Sequence, residues 1–296
     1  MAVSAARHRR GDGWVAIWFL LPNLLGFLIF TFLPVFASLL LAFLKWDIIS
    51  PPRWAGLSNF RQLLGERLMW KYAWNTVFLM FAIPVNMAAS LGLAVLLSKK
   101  LRGTVFFRTI FFLPSIAAGV AIYILWSWIY NPEFGLINSL LRRIGINGPQ
   151  WLDDVHLAKP SLMLMGLWAS AGGMNMILYL AGLSNVPPEL LEAAEIDGAT
   201  GWQRFRHVTW PLLSPTTFFI FIMSVIGGFQ GGFQQAYIMT RGGPAGATTT
   251  IMYYIFNNAF VWLKMGKAAA LAWMMFVVIF AVTLINWKHG GKRVHY

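Results

Sequence analysis

Seven stretches of the chain run without a single Asp, Glu, Lys or Arg: 13–44, 72–98, 109–132, 160–188, 207–240, 242–263 and 268–287. Such runs mark membrane segments, because a charge at the bilayer centre costs about 2.5 to 3.5 kcal/mol even on a lenient insertion scale. A spanning helix needs about 20 mostly apolar residues. The sixth run fails that test, since it opens Gly-Gly-Pro-Ala-Gly-Ala-Thr-Thr-Thr and carries Asn257 and Asn258. Six spans remain, predicted at 14–43, 72–97, 109–130, 161–183, 212–239 and 268–287. Several runs exceed what a bilayer requires, so ends such as Gly13-Trp14 and Pro187-Pro188 are expected in the interface. Pro22, Pro34, Pro84 and Pro114 lie inside spans or at their ends and predict kinks, each ring removing one backbone hydrogen bond.

Composition agrees. Of 296 residues, 58% are apolar and 11% charged, against about 45 to 50% and roughly a quarter in soluble domains, which excludes a soluble enzyme and a disordered chain. The 23 Lys and Arg against 10 Asp and Glu give a net charge of +13. In a soluble protein that excess suggests nucleic acid; here the expected partner is anionic membrane lipid, with no nucleic acid. Basic residues hold helix ends at the headgroups, where the 15 tryptophans also settle. With no cysteine, disulfides, thiolate catalysis and zinc-cysteine sites are excluded.

Arg7-His8-Arg9-Arg10 precedes a long apolar run without a small-residue cleavage site, which predicts an uncleaved first span. An even span count puts both termini on one side. With the termini inside, the inner segments hold twelve Lys and Arg against eleven outside, and their density in Lys99-Lys100-Leu101-Arg102 and in both tails favours cytoplasmic termini. No internal repeat or long linker divides 1–296, so one membrane domain is expected. Short surface helices are expected in the loops near 46–70 and 133–159, the second from the spacing of Leu136-Ile137 and Leu140-Leu141.

Several chemistries are missing. No GxxxxGK[ST] sequence cradles nucleotide phosphates, His8, His156, His207, His289 and His295 are scattered without HExxH spacing, and no serine sits in a GxSxG elbow. The spans contain no carboxylate, although proton- or sodium-driven transporters commonly keep Asp, Glu or His at membrane depth. No catalytic residue, metal ligand or bound cofactor is therefore expected. A neutral solute suits such an interior, and the driving force is expected from outside the chain.

The segment 186–211 reads as two short helices. Pro188 fits a first helical turn, where Glu189 and Glu192 meet the positive end of the helix dipole. Gly198 ends that helix, and Thr200 with Gln203 forms a capping-box signature for a second, which carries Trp202, Arg204, Phe205 and Arg206. Neither is long enough to be stable alone in water. One reading is an amphipathic hairpin on the bilayer with solvated charges. The acidic first helix would be repelled by anionic headgroups, which favours a basic protein cleft as its dock.

Glu192-Ala193-Ala194, Gly198 and Val208-x-Trp210-Pro211 resemble the EAA loop of bacterial binding-protein-dependent ABC importer permeases, whose pattern is EAA, Gly, nine residues, then Ile-x-Leu-Pro. Val208 and Trp210 replace the Ile and Leu but stay apolar. Asn59-Phe60, Asn75-Thr76, Phe111-Phe112-Leu113-Pro114, the run 131–138, Thr240-Arg241-Gly242-Gly243-Pro244, Thr248 to Thr250, Tyr254 and Ala259-Phe260 are similar to the larger partner of carbohydrate-uptake pairs of the maltose and glycerol-phosphate permease type. Lys267 stands where an aromatic is common there, at the outer membrane edge. The resemblance implies an all-α polytopic membrane protein of the type I importer permease fold, with six transmembrane helices and a cytoplasmic coupling helix pair, in a bacterial plasma membrane. It implies a second homologous permease subunit, two ATPase subunits carrying ATP and Mg²⁺, an extracytoplasmic solute-binding protein and a sugar substrate. On this chain it assigns ATPase coupling to Glu192, Ala193, Ala194, Asp197, Gly198, Arg204 and Phe205.

The fifth predicted span contains Gly227-Gly228-Phe229-Gln230-Gly231-Gly232-Phe233-Gln234-Gln235-Ala236-Tyr237. On a continuous helix Phe229, Phe233 and Tyr237 form one stripe and Gln230 and Gln234 a neighbouring one. Aromatic faces cover the C–H surface of a sugar, and amides bond its hydroxyls. The same residues also read as plain helix contacts, with Gly227xxxGly231 and Gly228xxxGly232 as small-residue packing pairs. The resemblance tips this towards a translocation path that includes Gly232, with Trp168, Ser170, Met174 and Asn175 of the fourth span as second choices. The alternative class is a self-sufficient channel or secondary transporter for a small neutral solute; a membrane-embedded enzyme lacks residues for it.

Overall fold

A computed structural model describes residues 12–99, 102–117 and 119–290. Arg7-His8-Arg9-Arg10, Lys100 and the basic C-terminal residues lie outside the described residues. Those described are helical apart from loops and one antiparallel pair of two-residue strands, Leu44–Lys45 with Arg53–Trp54, which sequence periodicity did not suggest.

Three helices are long and apolar enough to cross a membrane without a sharp bend: Ile17–Ala42, Arg67–Ser98 and Met265–Lys288. The other apolar segments are bent pairs, Thr104–Ile116 with Gly119–Ile129, Ala158–Ser170 with Met174–Ser184 at 46°, and Gly201–Leu212 with Ser214–Gln230 at 65°. Counting each pair as one gives up to six crossings among the described residues. Within the stretches 109–130 and 161–183 the helix thus ends at Ile116 and at Ser170, while 212–239 follows a bend at Leu213 and loses its helix at Gly231. The run 242–263 forms only the helix Ile251–Phe256 and a π-helical turn, Asn257–Val261.

Prolines act unequally. Pro22 sits inside a continuous helix, whereas Pro34 follows a π-helical turn, Leu28–Phe32, whose wider register spares the carbonyl that its ring would otherwise strike. Pro84 follows a turn at Phe81, and Pro114 lies two residues before a helix end.

Small residues sit where helices cross: Ala42, Ser90, Ala94 and Ala270 are fully buried. Large apolar residues such as Phe19, Phe30 and Val277 point outward, at no cost in lipid tails as apolar as themselves. One interior cluster, Met87, Ala94, Met176, Tyr179 and Ile220, joins three long segments. The helix Leu33–Ala42 lies along the last helix, and Trp273 donates to Ser38 Oγ at 3.1 Å.

At one end of the bundle, loops form a shelf with buried, non-helical backbone whose polar groups need partners. Asparagines supply them. Asn59 Nδ2 donates to the carbonyls of Ala42 and Leu44, both at 2.9 Å. Asn75 Nδ2 donates to Gly246 at 2.9 Å and Thr249 at 3.0 Å. Asn138 donates to Pro132 and Pro149 at 3.1 Å and accepts from Trp151 Nε1 at 2.8 Å. Thr248 and Thr249 donate to Gly243 and Gly242, and Thr250 caps the helix Ile251–Phe256. The short helices Ser58–Gly65 and Leu136–Arg143 complete the shelf.

Candidate coupling loop and interior cavity

The segment 186–211 forms the helix Pro188–Ile196, a turn, and the helix Gly201–Arg204, which runs on through a π-helical turn, Phe205–Thr209. The first helix closes with Ala199 N–H on the Ala194 carbonyl at 2.9 Å and Gly198 in the left-handed region at φ +79°, the arrangement in which a glycine follows a helix end. The second opens with a complete capping box: Thr200 Oγ1 accepts from Gln203 N–H at 3.4 Å, and Gln203 Oε1 accepts from Thr200 N–H at 2.7 Å.

Arg204 is turned inward on an ion pair with Glu195 that ties the two helices together. Phe205 packs between Trp202 and Trp210, with ring centroids 5.6 and 6.4 Å away. Glu192, Ala193 and Asp197 face outward, Ala194 is half-buried, and Ile196 and Trp202 project furthest, at 86% and 68% exposure. The outward face is therefore an acidic edge beside two large apolar side chains. Ile196 escaped the sequence reading, since one apolar residue at a helix end carries no periodic signal.

A second feature is a cavity between helices, open on one side, of about 410 Å³, lined by Asn86, Ser170, Asn175, Ser224 and Gln235, with apolar walls from Leu79, Ile83 and Leu162. It sits where Ala158–Ser170 breaks before Met174–Ser184. At that break Gly172 meets the Phe111 carbonyl so closely that a Cβ would overlap it. Ser90 Oγ donates to the freed Ala171 carbonyl at 2.8 Å, and Asn86 Nδ2 donates to Ser170 Oγ. A smaller hollow of about 130 Å³, lined by Gly228, Gly231, Gly232 and Thr250, also borders Leu79, Ile83 and Gln235. No carboxylate or cation lines either space.

The stripe expected from Phe229 to Tyr237 does not form. Gly231 is extended and Gly232 takes φ +81°, against Thr250, so the helical register restarts and the four-residue spacing no longer marks one face. Phe229 turns into an outer apolar groove with Trp70, Trp273 and Met274. Phe233 and Tyr237 stack at 5.6 Å and join Tyr253 and Phe256 in an aromatic cluster. Gln230 and Gln234 are exposed, Gln234 lying against Gly119, and Gln235 is the amide that reaches both hollows. Of the fourth-span candidates, Ser170 and Asn175 line the cavity, Trp168 packs edge-on against Trp126 at 5.5 Å, and Met174 is 65% exposed. The glycine pairs contribute less helix contact than their spacing suggests: Gly228 meets Met80 and Ile83, Gly227 meets nothing, and Gly231 lies beyond the helix. Asn86 and Ser224 were missed because single polar residues in apolar runs give no sign of which face they occupy, and Gln235 because the restarted register after Gly232, invisible in the sequence, decides which of two adjacent glutamines points inward.

Residues 86–287 match the family described as binding-protein-dependent transport system inner membrane component. The chain is 38% identical to the probable ABC transporter permease protein YesP of Bacillus subtilis, over all of this chain and 96% of that one. It is 34% identical to the sn-glycerol-3-phosphate transport system permease protein UgpA of Agrobacterium fabrum, over 93% and 94% of the two chains. Its fold superposes on a bacterial ABC transporter involved in import of the acidic polysaccharide alginate with a TM-score of 0.85, covering 95% and 96% of the chains at 24% identity. A chain almost wholly helical among its described residues, with membrane-long apolar helices and a capped helix pair carrying Glu192-Ala193-Ala194, fits this family's pattern, and the chain belongs to the inner-membrane permease components of binding-protein-dependent ABC importers.

Proposed function

We propose that the chain carries a sugar or sugar-like solute across the bacterial inner membrane by alternating access, paired with a second homologous permease. In this reading the six predicted segments cross the membrane, both termini are cytoplasmic, and 186–211 docks on one of two ATPase subunits that bind ATP and Mg²⁺. A solute-binding protein delivers cargo to the shelf. The carrying observation is the cavity at the break before Met174: Asn86, Ser170, Asn175, Ser224 and Gln235 offer neutral donors and acceptors beside apolar walls, a lining that fits hydroxyls and C–H faces and offers an ion no countercharge. Gly172 and Gly232 place helix breaks beside these hollows, so segments on either side can tilt as units. Glu192 supplies the outward charge for a basic ATPase cleft.

Reconstitution in liposomes tests this. Uptake of a labelled oligosaccharide should require ATP, the ATPase and the binding protein together, and Asn175→Leu should lower uptake while ATP hydrolysis continues. Uptake by this chain alone would replace the reading with a self-sufficient channel or secondary transporter.

A further inference from the structure

The shelf contains a basin of about 720 Å³ between the strand pair, the helix Ser58–Gly65 and the start of the last helix. Lys45, Arg53, Lys264 and Lys267 line it, beside the indoles of Trp46 and Trp262. Among the described residues, ion pairs join only Arg204 with Glu195 and Lys267 with Glu66, so Lys45 and Arg53 reach the basin without an ion-pair partner and Lys264 acts on Glu66 only from beyond contact distance. Lys264 Nζ lies 5.9 Å above the Trp262 ring. The one carboxylate in the lining, Asp47, is turned into its own loop, accepting from Ser50 N–H at 2.8 Å and Ser50 Oγ at 2.6 Å.

Like charges gathered in a concavity raise the local potential and favour an anion there. A band of lysine and tryptophan along a membrane edge is commonly a lipid contact, but this one is folded into a hollow within the size range of small-molecule sites. Two indoles give flat faces for ring C–H groups, and Ser58 and Gln62 add neutral hydrogen-bonding groups. Another cation of the shelf, Lys159, bonds Asn75 Oδ1 through Nζ at 3.2 Å and lies 4.7 Å over the Phe78 ring, one helical turn before Leu162 of the cavity.

The geometry points to a binding site in this basin for an acidic sugar, a carbohydrate bearing carboxylate or phosphate groups, held by Arg53, Lys45 and Lys264 against Trp46 and Trp262. This rests on the reading above that the chain handles sugars and that the shelf faces outward; it assigns the acidic groups of the solute to the basin, since the cavity beyond it supplies only neutral partners for hydroxyls and C–H faces.

Direct binding tests it without transport. Full-length chain in detergent is titrated calorimetrically with α-1,4-digalacturonate and, in parallel, with the neutral α-1,4-digalactose. The acid should bind at least about tenfold more tightly at low salt, with the preference fading in about 1 M NaCl. Arg53→Ala combined with Lys264→Ala should weaken digalacturonate by about tenfold or more and leave digalactose unchanged. Equal affinity for the two sugars in the unmodified chain overturns the proposal, whatever the variants do, and so does an unaltered acid preference in a folded double variant. Retention of phosphatidylglycerol in nanodiscs without digalacturonate affinity assigns the basin to lipid and also overturns it. A transporter that moves sugars but shows no acid preference sinks this site and leaves the proposed function standing. Acid binding without ATP-driven uptake does the reverse.

Discussion

Glu66 and Lys267 meet in an ion pair across 201 positions of sequence, with Tyr254 Oη donating to the same Glu66 carboxylate at 2.7 Å. This contact joins the start of Arg67–Met80, the helix Ile251–Phe256 and the first turn of the last helix. Lys267 is only 8% exposed, so its charge is neutralised locally or not at all. Burial would raise the Glu66 carboxyl, but hydrogen bonds from Lys267 and Tyr254 outweigh it and hold the group below the ordinary glutamate value of 4.5.

Removing one member leaves a shielded charge. Lys267→Met or Glu66→Gln should each destabilise the shelf by about 2 kcal/mol, below the full buried-pair cost because Glu66 retains solvent contact, and the double substitution should recover part of that. Because the carboxyl value is lowered on folding, the pair contributes fully above pH 4.5 and its contribution is lost as pH falls below that. Tryptophan-monitored unfolding in detergent from pH 7 to 3 measures both effects; single variants as stable as the parent, with the same acid profile, would show that the pair contributes nothing.

Gly198 should be intolerant because of its backbone, since a Cβ there meets nothing within 4 Å but φ is +79°. Gly198→Val should cost about 1 to 2 kcal/mol in the helix-pair turn, and Gly198→Asn much less. ATPase activity stimulated by the binding protein is the readout, and equal behaviour of the Val and Asn variants would refute the backbone explanation.

Glu192 and Glu195 should separate docking from folding. Glu192 faces outward and has no ion pair among the described residues, so Glu192→Lys should leave thermal stability within about 0.5 kcal/mol and release or uncouple the ATPase. Glu195→Lys breaks the bridge to Arg204 and should loosen the helix pair itself, seen as faster amide exchange over 188–204. Full transport by Glu192→Lys would remove the docking role.

For cargo, sequence spacing favours Gln230 and Gln234, whereas the cavities favour Gln235. Leucine at any of the three should cost the fold only about 0.6 kcal/mol per lost interhelical bond. Uptake should fall most for Gln235→Leu and Asn175→Leu, because a bound hydroxyl would then lose its partner away from water. Normal uptake in both, with assembled complex, would place the path elsewhere; collapse of the complex would mark these amides as helix contacts.

Charge-free runs located the apolar helices because the bilayer penalises charge residue by residue, and Thr200, Gln203 and Gly198 were legible because caps and turns are local chemistry. The breaks were not. Gly227-Gly228 stays helical while Gly231-Gly232 does not, and the two pairs look alike until Thr250, far along the chain, is set against Gly232. That one break decides which glutamine reaches the hollow. Lys267 likewise looked like a local departure from an aromatic position, because its partner Glu66 lies outside every apolar run.

The shelf asparagines set a limit on how the protein ages. Asn59, Asn75 and Asn138 each spend both side-chain N–H groups on two backbone carbonyls. Spontaneous deamidation at any of them would put a carboxylate where two donors stood, facing two acceptors at hydrogen-bonding distance. All three lie within helices, Ser58–Gly65, Arg67–Met80 and Leu136–Arg143, where the backbone holds the following amide nitrogen away from the ring closure that begins the reaction. The helices that carry these residues therefore also protect them, and chemical wear should reach the shelf only after one of those helices has opened.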